Sequence, residues 1–163
     1  MEHARIFAVK WDEIGQMRCS VARSLAAVGD RWTLLIVRDA FLGLRRFDDL
    51  QRSLGLTRHL LAERLRKLEE HGILERVAYQ ERPTRFEYRL TEKGLDLYPI
   101  LMSLVRWGDR WAAGDDGPPL VYTHRGCGHT ATPSLHCPAC REPVSARDMR
   151  VHPGPPRGGD ETR

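Results

Sequence analysis

Residues 56–90 read LTRHLLAERLRKLEEHGILERVAYQERPTRFEYRL, two different periodicities in succession. In the first half Leu61, Leu65 and Leu68 recur at helical spacing and share an inward stripe. His59, Glu63 and Arg66 point the opposite way, with Arg58, Ala62 and Lys67 on the flanks. Thr57 is an N-cap for this helix, Leu56 a staple against Leu61, and Gly72 its stop. Ile73 to Tyr79 and Phe86 to Leu90 then carry strand composition, with alternation in Phe86, Tyr88 and Leu90. Between them Gln80-Glu81-Arg82-Pro83-Thr84-Arg85 predicts a polar hairpin tip, from which Arg82 and Arg85 can reach a phosphate or the minor groove. A helix with a basic outer face followed by a hairpin is the order of a recognition helix and its wing. The stretch therefore predicts a fold that reads double-stranded DNA.

Working outward, the segment RFDDLQRSL predicts a short helix with Phe47, Leu50 and Leu54 inward and Gly55 as its stop. Two helices joined by a tight turn, the second with a basic outward face, make a helix-turn-helix. Before it, RWTLLIVRDAFLG is apolar on most sides and reads as the buried hub, with Asp30 offering its N-cap. A first helix opens near Cys19, places Val21, Leu25 and Val28 along one face, and ends at Gly29. Residues 1–18 are a mixed arm with Ile6, Phe7, Val9, Trp11 and Ile14 as its apolar positions. After the wing, Thr91 caps a long final helix stapled by Leu90 against Leu95. Its Leu95, Tyr98, Leu101, Met102, Val105 and Trp111 give a wider apolar face than one small domain needs to cover. That excess reads as a homodimer interface, the alternative being packing against the arm alone.

The chain has 163 residues, enough for one full domain and a small second module. Residues 1–112 hold 20 basic and 16 acidic residues, and 113–163 six of each, so the whole surplus lies in the first part. Within 45–67 seven basic residues face three acidic ones, a local surplus suited to phosphates. No apolar run approaches the ~20 residues of a membrane span, and the start lacks the pattern of a signal peptide. The expectation is a cytoplasmic protein with no membrane partner, in which four cysteines serve metal binding or reactivity rather than disulfides.

Three of those cysteines fall into a second pattern. His124-x-x-Cys127 is followed by nine residues and then Cys137-x-x-Cys140, the spacing of a small structural zinc site. Thiolates and imidazole bind Zn²⁺ tetrahedrally, and two ligands from each of two tight turns close such a site. His129 and His136 lie close enough to compete as fourth ligand, with His124 favoured for its symmetric spacing. Four protein ligands leave no open position for hydrolysis. Cys19 stands apart at the start of the first helix beside Arg18, two features that favour a thiolate.

The run CSVARSLAAVGDRWTLLIVRDAFLGLRRFDDLQRSLGLTRHLLAERLRKLEEHGILER, continuing to EYRLTEKG and WGDRW, resembles the HxlR-type winged helix-turn-helix transcription regulators across roughly residues 19–111. The resemblance implies a homodimer on a pseudo-palindromic operator, usually repressing and sometimes activating. It implies that Thr57, Arg58, His59, Ala62, Glu63 and Arg66 face the major groove. It also suggests oxidant, quinone or aldehyde sensing at Cys19, and hence a small-molecule or redox effector. The zinc-like tail lies outside the family's minimal architecture.

Residue chemistry then assigns roles. Arg58 suits guanine O6 and N7, or else a phosphate. His59 can donate to or accept from a base edge, Ala62 allows close approach or contact with a thymine methyl, and Glu63 can accept from cytosine N4. Pairing with Lys67 four residues on is the plainer use of Glu63. Arg66 and Lys67 suit phosphates. The domain reading is an arm at 1–18, a DNA-binding and dimerisation domain at 19–112, and a linker at 113–119. A zinc-ribbon-like module at 120–151 and a disordered tail at 152–163 complete it. The fold class is mainly α with a small β wing (α+β). The alternative function is a basal transcription or nucleoprotein assembly factor that docks proteins. There is no nucleophile with a local base, no Gly-rich phosphate loop and no carboxylate pair, so the chain is not expected to be an enzyme.

Overall fold

Ile36 and Val37 have no exposed surface, and the first part of the molecule is arranged around them. They lie on α2 (Thr33–Phe41) of the computed structural model, which describes residues 10–131 and 133–154. The other elements are α1 (Ser20–Val28), α3 (Phe47–Leu54), α4 (Arg58–Glu70), β1 (Leu74–Glu81), β2 (Thr84–Leu90), α5 (Glu92–Leu95) and α6 (Tyr98–Trp111). A 3-10 turn at Trp11–Gln16 packs on α1, and Ile6, Phe7 and Val9 lie outside the described residues. The chain divides into two compact units, one ending at Val105 and the other starting at Arg106. Among the described residues no helix is long and apolar enough to cross a membrane.

The hub forms where expected. Asp30 caps it by accepting from the backbone N–H of Trp32 (2.9 Å) and Thr33 (3.1 Å) and from the Thr33 hydroxyl. Leu50, Leu56, Leu61, Leu65, Leu68 and Ile73 close around Ile36 and Val37 as one cluster. One buried charge was not anticipated. Asp39 is 1% exposed and held by Arg38, whose guanidinium reaches Oδ1 at 2.6 Å. The face expected of α1 is corrected: Ala22 and Val28 are its buried residues, while Val21 is 67% exposed. Alanine counts little in a hydrophobic pattern, yet its small side chain admits the closest helix approach.

The wing is a two-stranded antiparallel sheet running from the pair Leu74↔Leu90 to Glu81↔Thr84, with one irregularity between Ala78 and Gln80. Pairing continues through residues expected in the tip, which shrinks to Arg82-Pro83. Backbone ladder bonds do not need apolar side chains, so strand composition underestimates such ends. The loop before α3 joins this sheet through an Arg46↔Glu87 bridge, and Tyr88 N–H donates to the Arg45 carbonyl at 2.7 Å.

The single long final helix is also corrected. α5 stops at Leu95 and α6 begins at Tyr98. Pro99 explains the break: proline lacks the N–H that a helix interior requires, and its ring excludes the carbonyl four residues earlier. In the first turn of a new helix neither matters. Thr91 caps α5 by accepting from Gly94 N–H (3.1 Å), and its hydroxyl lies 2.6 Å from the Gly72 carbonyl as donor. Lys93 Nζ donates to the His71 carbonyl at 2.7 Å. A Cβ on Gly94 would stand 2.3 Å from the Ile73 carbonyl oxygen, so only glycine lets α5 approach there. The sequence Thr91-Glu92-Lys93-Gly94 thus ties the exit of the wing to the end of α4.

The second unit is built differently. Two small hairpins are each closed by an isolated bridge, Thr123↔Thr130 and His136↔Pro143. From Ser103 to Gly154 no described residue is buried. A short 3-10 turn occupies Gly114–Asp116, and residues 155–163 of the expected tail lie outside the described residues.

Candidate DNA interface

The orientation of α4 follows from its leucines. Leu61, Leu65 and Leu68 are at most 1% exposed, so the opposite face must meet solvent. The turn from α3 is set by Gly55, which adopts φ 64°, a left-handed conformation that costs glycine least. Thr57 then accepts from Leu60 N–H at 3.3 Å and starts the helix. Arg58, His59, Ala62, Arg66 and Lys67 are all exposed and Glu63 is half-exposed. Among basic residues of the helix, Arg64 differs: it is 19% exposed and directed at Asp30 (3.6 Å), fastening α4 to the hub's cap.

The outward charges are engaged with one another. Arg58 lies 3.1 Å from Asp48 of α3, with its guanidinium over the Phe47 ring. Glu63 sits 3.3 Å from Lys67 and 3.6 Å from Arg64, while Arg66 is 2.6 Å from Glu70. The hydrogen bond from Lys67, then the charge of Arg64, hold the Glu63 carboxyl below the usual range. Exposed pairs of this kind are screened by solvent and contribute little, so these charges are readily exchanged for other partners.

The wing extends this surface. Arg85 lines a groove of about 610 Å³ with Arg46, Arg52, Arg58 and Arg76, against Asp48 and Asp49. Arg82 is exposed at the tip and is not part of that groove. Arg46, Arg52 and Arg76 were not singled out from sequence. Arg46 and Arg52 belonged to the basic stretch, but only the bridge to β2 shows that Arg46 faces the wing. Arg76 stacks on Phe86 at 4.2 Å, a cross-strand contact invisible before the register is known.

Cys19 is exposed at the N-cap of α1. In the second unit, His124 Nδ1 and Cys127 Sγ are 3.3 Å apart. Cys137 is grouped with Cys140: backbone N–H groups of Cys140 and Ala139, then the Cys140 side chain, lower its thiol from the ordinary value. Among the described residues no three His, Cys, Asp or Glu side chains are gathered around one point. His136 Nδ1 is 3.3 Å from Ser134 Oγ, and His129 contributes its carbonyl to the first hairpin.

Residues 27–116 match the HxlR-like helix-turn-helix family. An uncharacterized HTH-type transcriptional regulator of Mycobacterium tuberculosis is 48% identical over 136 residues, covering 83% of this chain and 86% of that protein. The crystal structure of PA1607, described as a candidate transcription factor, superposes with a TM-score of 0.77 at 40% identity, covering 85% of this chain and 96% of that one. The redox regulator HypR in its oxidized form gives a TM-score of 0.53 at 33% identity, covering 56% of this chain and 96% of that one. With its helix-turn-helix, wing and basic outward face in place, the chain belongs to the HxlR-like helix-turn-helix family, whose members are DNA-binding transcriptional regulators and not enzymes.

Proposed function

We infer that this protein is a sequence-specific transcription regulator that binds a pseudo-palindromic operator as a homodimer and acts as a repressor. The observation that carries this reading is α4 itself. Its first turns expose Arg58, His59 and Ala62 beside a groove lined by five arginines. Arg58 and His59 read base edges, and Ala62 permits the close approach they need. Arg66, Lys67, Arg82 and Arg85 hold phosphates and set the register. Glu63 serves as a cytosine acceptor only by releasing Lys67.

Dimerisation is supported by α6, which leaves Ile100, Leu104, Trp107 and Trp111 between 45% and 66% exposed. Large apolar side chains so placed on one helix are suited to a second copy of the chain. A redox input is supported by exposed Cys19 together with the likeness to HypR.

Selection from a randomised duplex pool with the full chain tests this reading. The expected product is an inverted repeat with half-sites about 34 Å apart, one helical turn. Recovery of no motif, with binding that only fades as salt rises, would leave non-specific attraction.

A further inference from the structure

The two hairpins of the second unit are copies of one another in backbone terms. His124 N–H donates to the His129 carbonyl at 2.9 Å, and Cys137 N–H to the Glu142 carbonyl at 2.9 Å. Gly128 N–H returns to the His124 carbonyl at 2.7 Å, and Arg141 N–H to the Cys137 carbonyl at 2.8 Å. Outside these, Ala131 N–H meets the Tyr122 carbonyl and Val144 N–H the Leu135 carbonyl, at 2.7 and 2.9 Å. His124 therefore corresponds to Cys137 and Cys127 to Cys140. No such repeat follows from three cysteines merely falling in a tail.

Both turns also end in the same unusual conformation. Gly128 has φ 72° and Arg141 has φ 63°, and Arg141 is the only non-glycine residue with positive φ among those described. A residue with a long side chain adopts that region only when its surroundings over-determine it. Here the surroundings are a tight loop closed on both sides of Cys137, whose carbonyl accepts from Arg141 N–H and whose N–H donates to the Glu142 carbonyl. Hydrophobic burial does not hold the loop, since nothing in it is buried.

The donor spacing fits an ion. Nitrogen and sulfur ligands at about 2.05 and 2.3 Å from one tetrahedral zinc lie roughly 3.5 Å from each other. The His124 Nδ1 to Cys127 Sγ separation is 3.3 Å. His136 falls outside the repeated ligand positions: its bridge to Pro143 corresponds to that of Thr123 with Thr130, and its Nδ1 lies 3.3 Å from Ser134 Oγ.

We propose that His124, Cys127, Cys137 and Cys140 bind one zinc ion that joins the two hairpins into a closed structural site. The ion draws two preformed pairs into one coordination sphere and supplies the folding energy that a unit without a core lacks. All four positions are filled by protein, so the site is not hydrolytic. The site stands apart from the DNA reading, and its failure would leave that reading intact.

The test uses the full chain, purified under reducing conditions without chelator. Its metal is measured by elemental analysis and then replaced by cobalt(II). One zinc per chain is expected, with the intense visible bands of a tetrahedral thiolate cobalt site. Cys127→Ser, Cys140→Ser and His124→Ala are expected to weaken binding by more than the roughly 10–100-fold that losing an outer-shell partner costs. Cys19→Ser, His129→Ala and His136→Ala should retain the metal. A full-length chain that takes up neither metal, a six-coordinate cobalt spectrum, or Cys127→Ser and Cys140→Ser variants that bind as tightly as the parent would each overturn the proposal. Loss of metal from His136→Ala but not from His124→Ala would overturn the ligand set.

Discussion

Leu61, Leu65 and Leu68 of α4 are all but removed from water, whereas from Ser103 to Gly154 no described residue is buried. The first unit holds its functional face by burying the reverse of the same helix. The outward side chains need no restraint of their own, because the leucines beneath them set the helix orientation. The second unit repeats one hairpin in which no described residue is buried, and its order rests on hydrogen-bonded turns. Two stretches of one chain thus reach definite geometry by different physics, and they should fail differently.

The largest expected difference is in the core. Leu61→Ala should destabilise the first unit by about 2–5 kcal/mol, as for other buried leucines. Leu135→Ala, at a side chain 66% exposed, should change stability by less than about 0.5 kcal/mol. Denaturant unfolding followed by tryptophan fluorescence measures both, and equal effects would break the contrast. Next comes Gly94→Ala, which must displace the Ile73 carbonyl and is expected to cost about 1–3 kcal/mol. Because it loosens the wing's exit, operator affinity should fall with it, as a titration of the same variant would show.

A smaller effect is expected at the cap of α4. Thr57→Ala should cost about 1 kcal/mol, while Thr57→Ser should be nearly silent, in the same unfolding experiment. The smallest concerns Asp30. Burial works against its charge, but the Thr33 hydroxyl, the Trp32 amide and Arg64 outweigh it and hold its pKa below the ordinary 3.8. The folded state therefore binds fewer protons there. Its contribution is full above the ordinary value and is lost as pH falls through the lowered one. Asp30→Asn should flatten that acid limb, and a stability curve measured from neutral to low pH would show whether it does.

Much of the first unit was legible because its signals are local. The Gly55 stop, the Thr57 cap and the leucine stripe each act within one turn of the helix they shape. The features missed depend on contacts between distant segments or on residues with weak patterning. Arg46 joins the groove only through its bridge to β2, and Asp39 is buried only because α2 is the hub. Val21 looked like a core residue because valine weighs more than Ala22 in a pattern, although the smaller side chain is the one that packs. Pro99 was the exception, a local signal that divides α5 from α6 and was overridden by the apolar periodicity around it. In the second unit the spacing of His124, Cys127, Cys137 and Cys140 was legible, but the equivalence of the two hairpins required their hydrogen bonds.

In the proposed reading the exposed first turns of α4 read sequence while its later basic residues only hold the backbone. Titrating the selected operator and a scrambled duplex with the parent chain, Arg58→Ala and Arg66→Ala tests it directly. Arg58→Ala is expected to lose about 1–3 kcal/mol on the operator and little on the scrambled duplex, whereas Arg66→Ala weakens both alike and lowers the salt dependence. Equal losses on both duplexes for Arg58→Ala would contradict it, and would place sequence reading somewhere other than the start of α4.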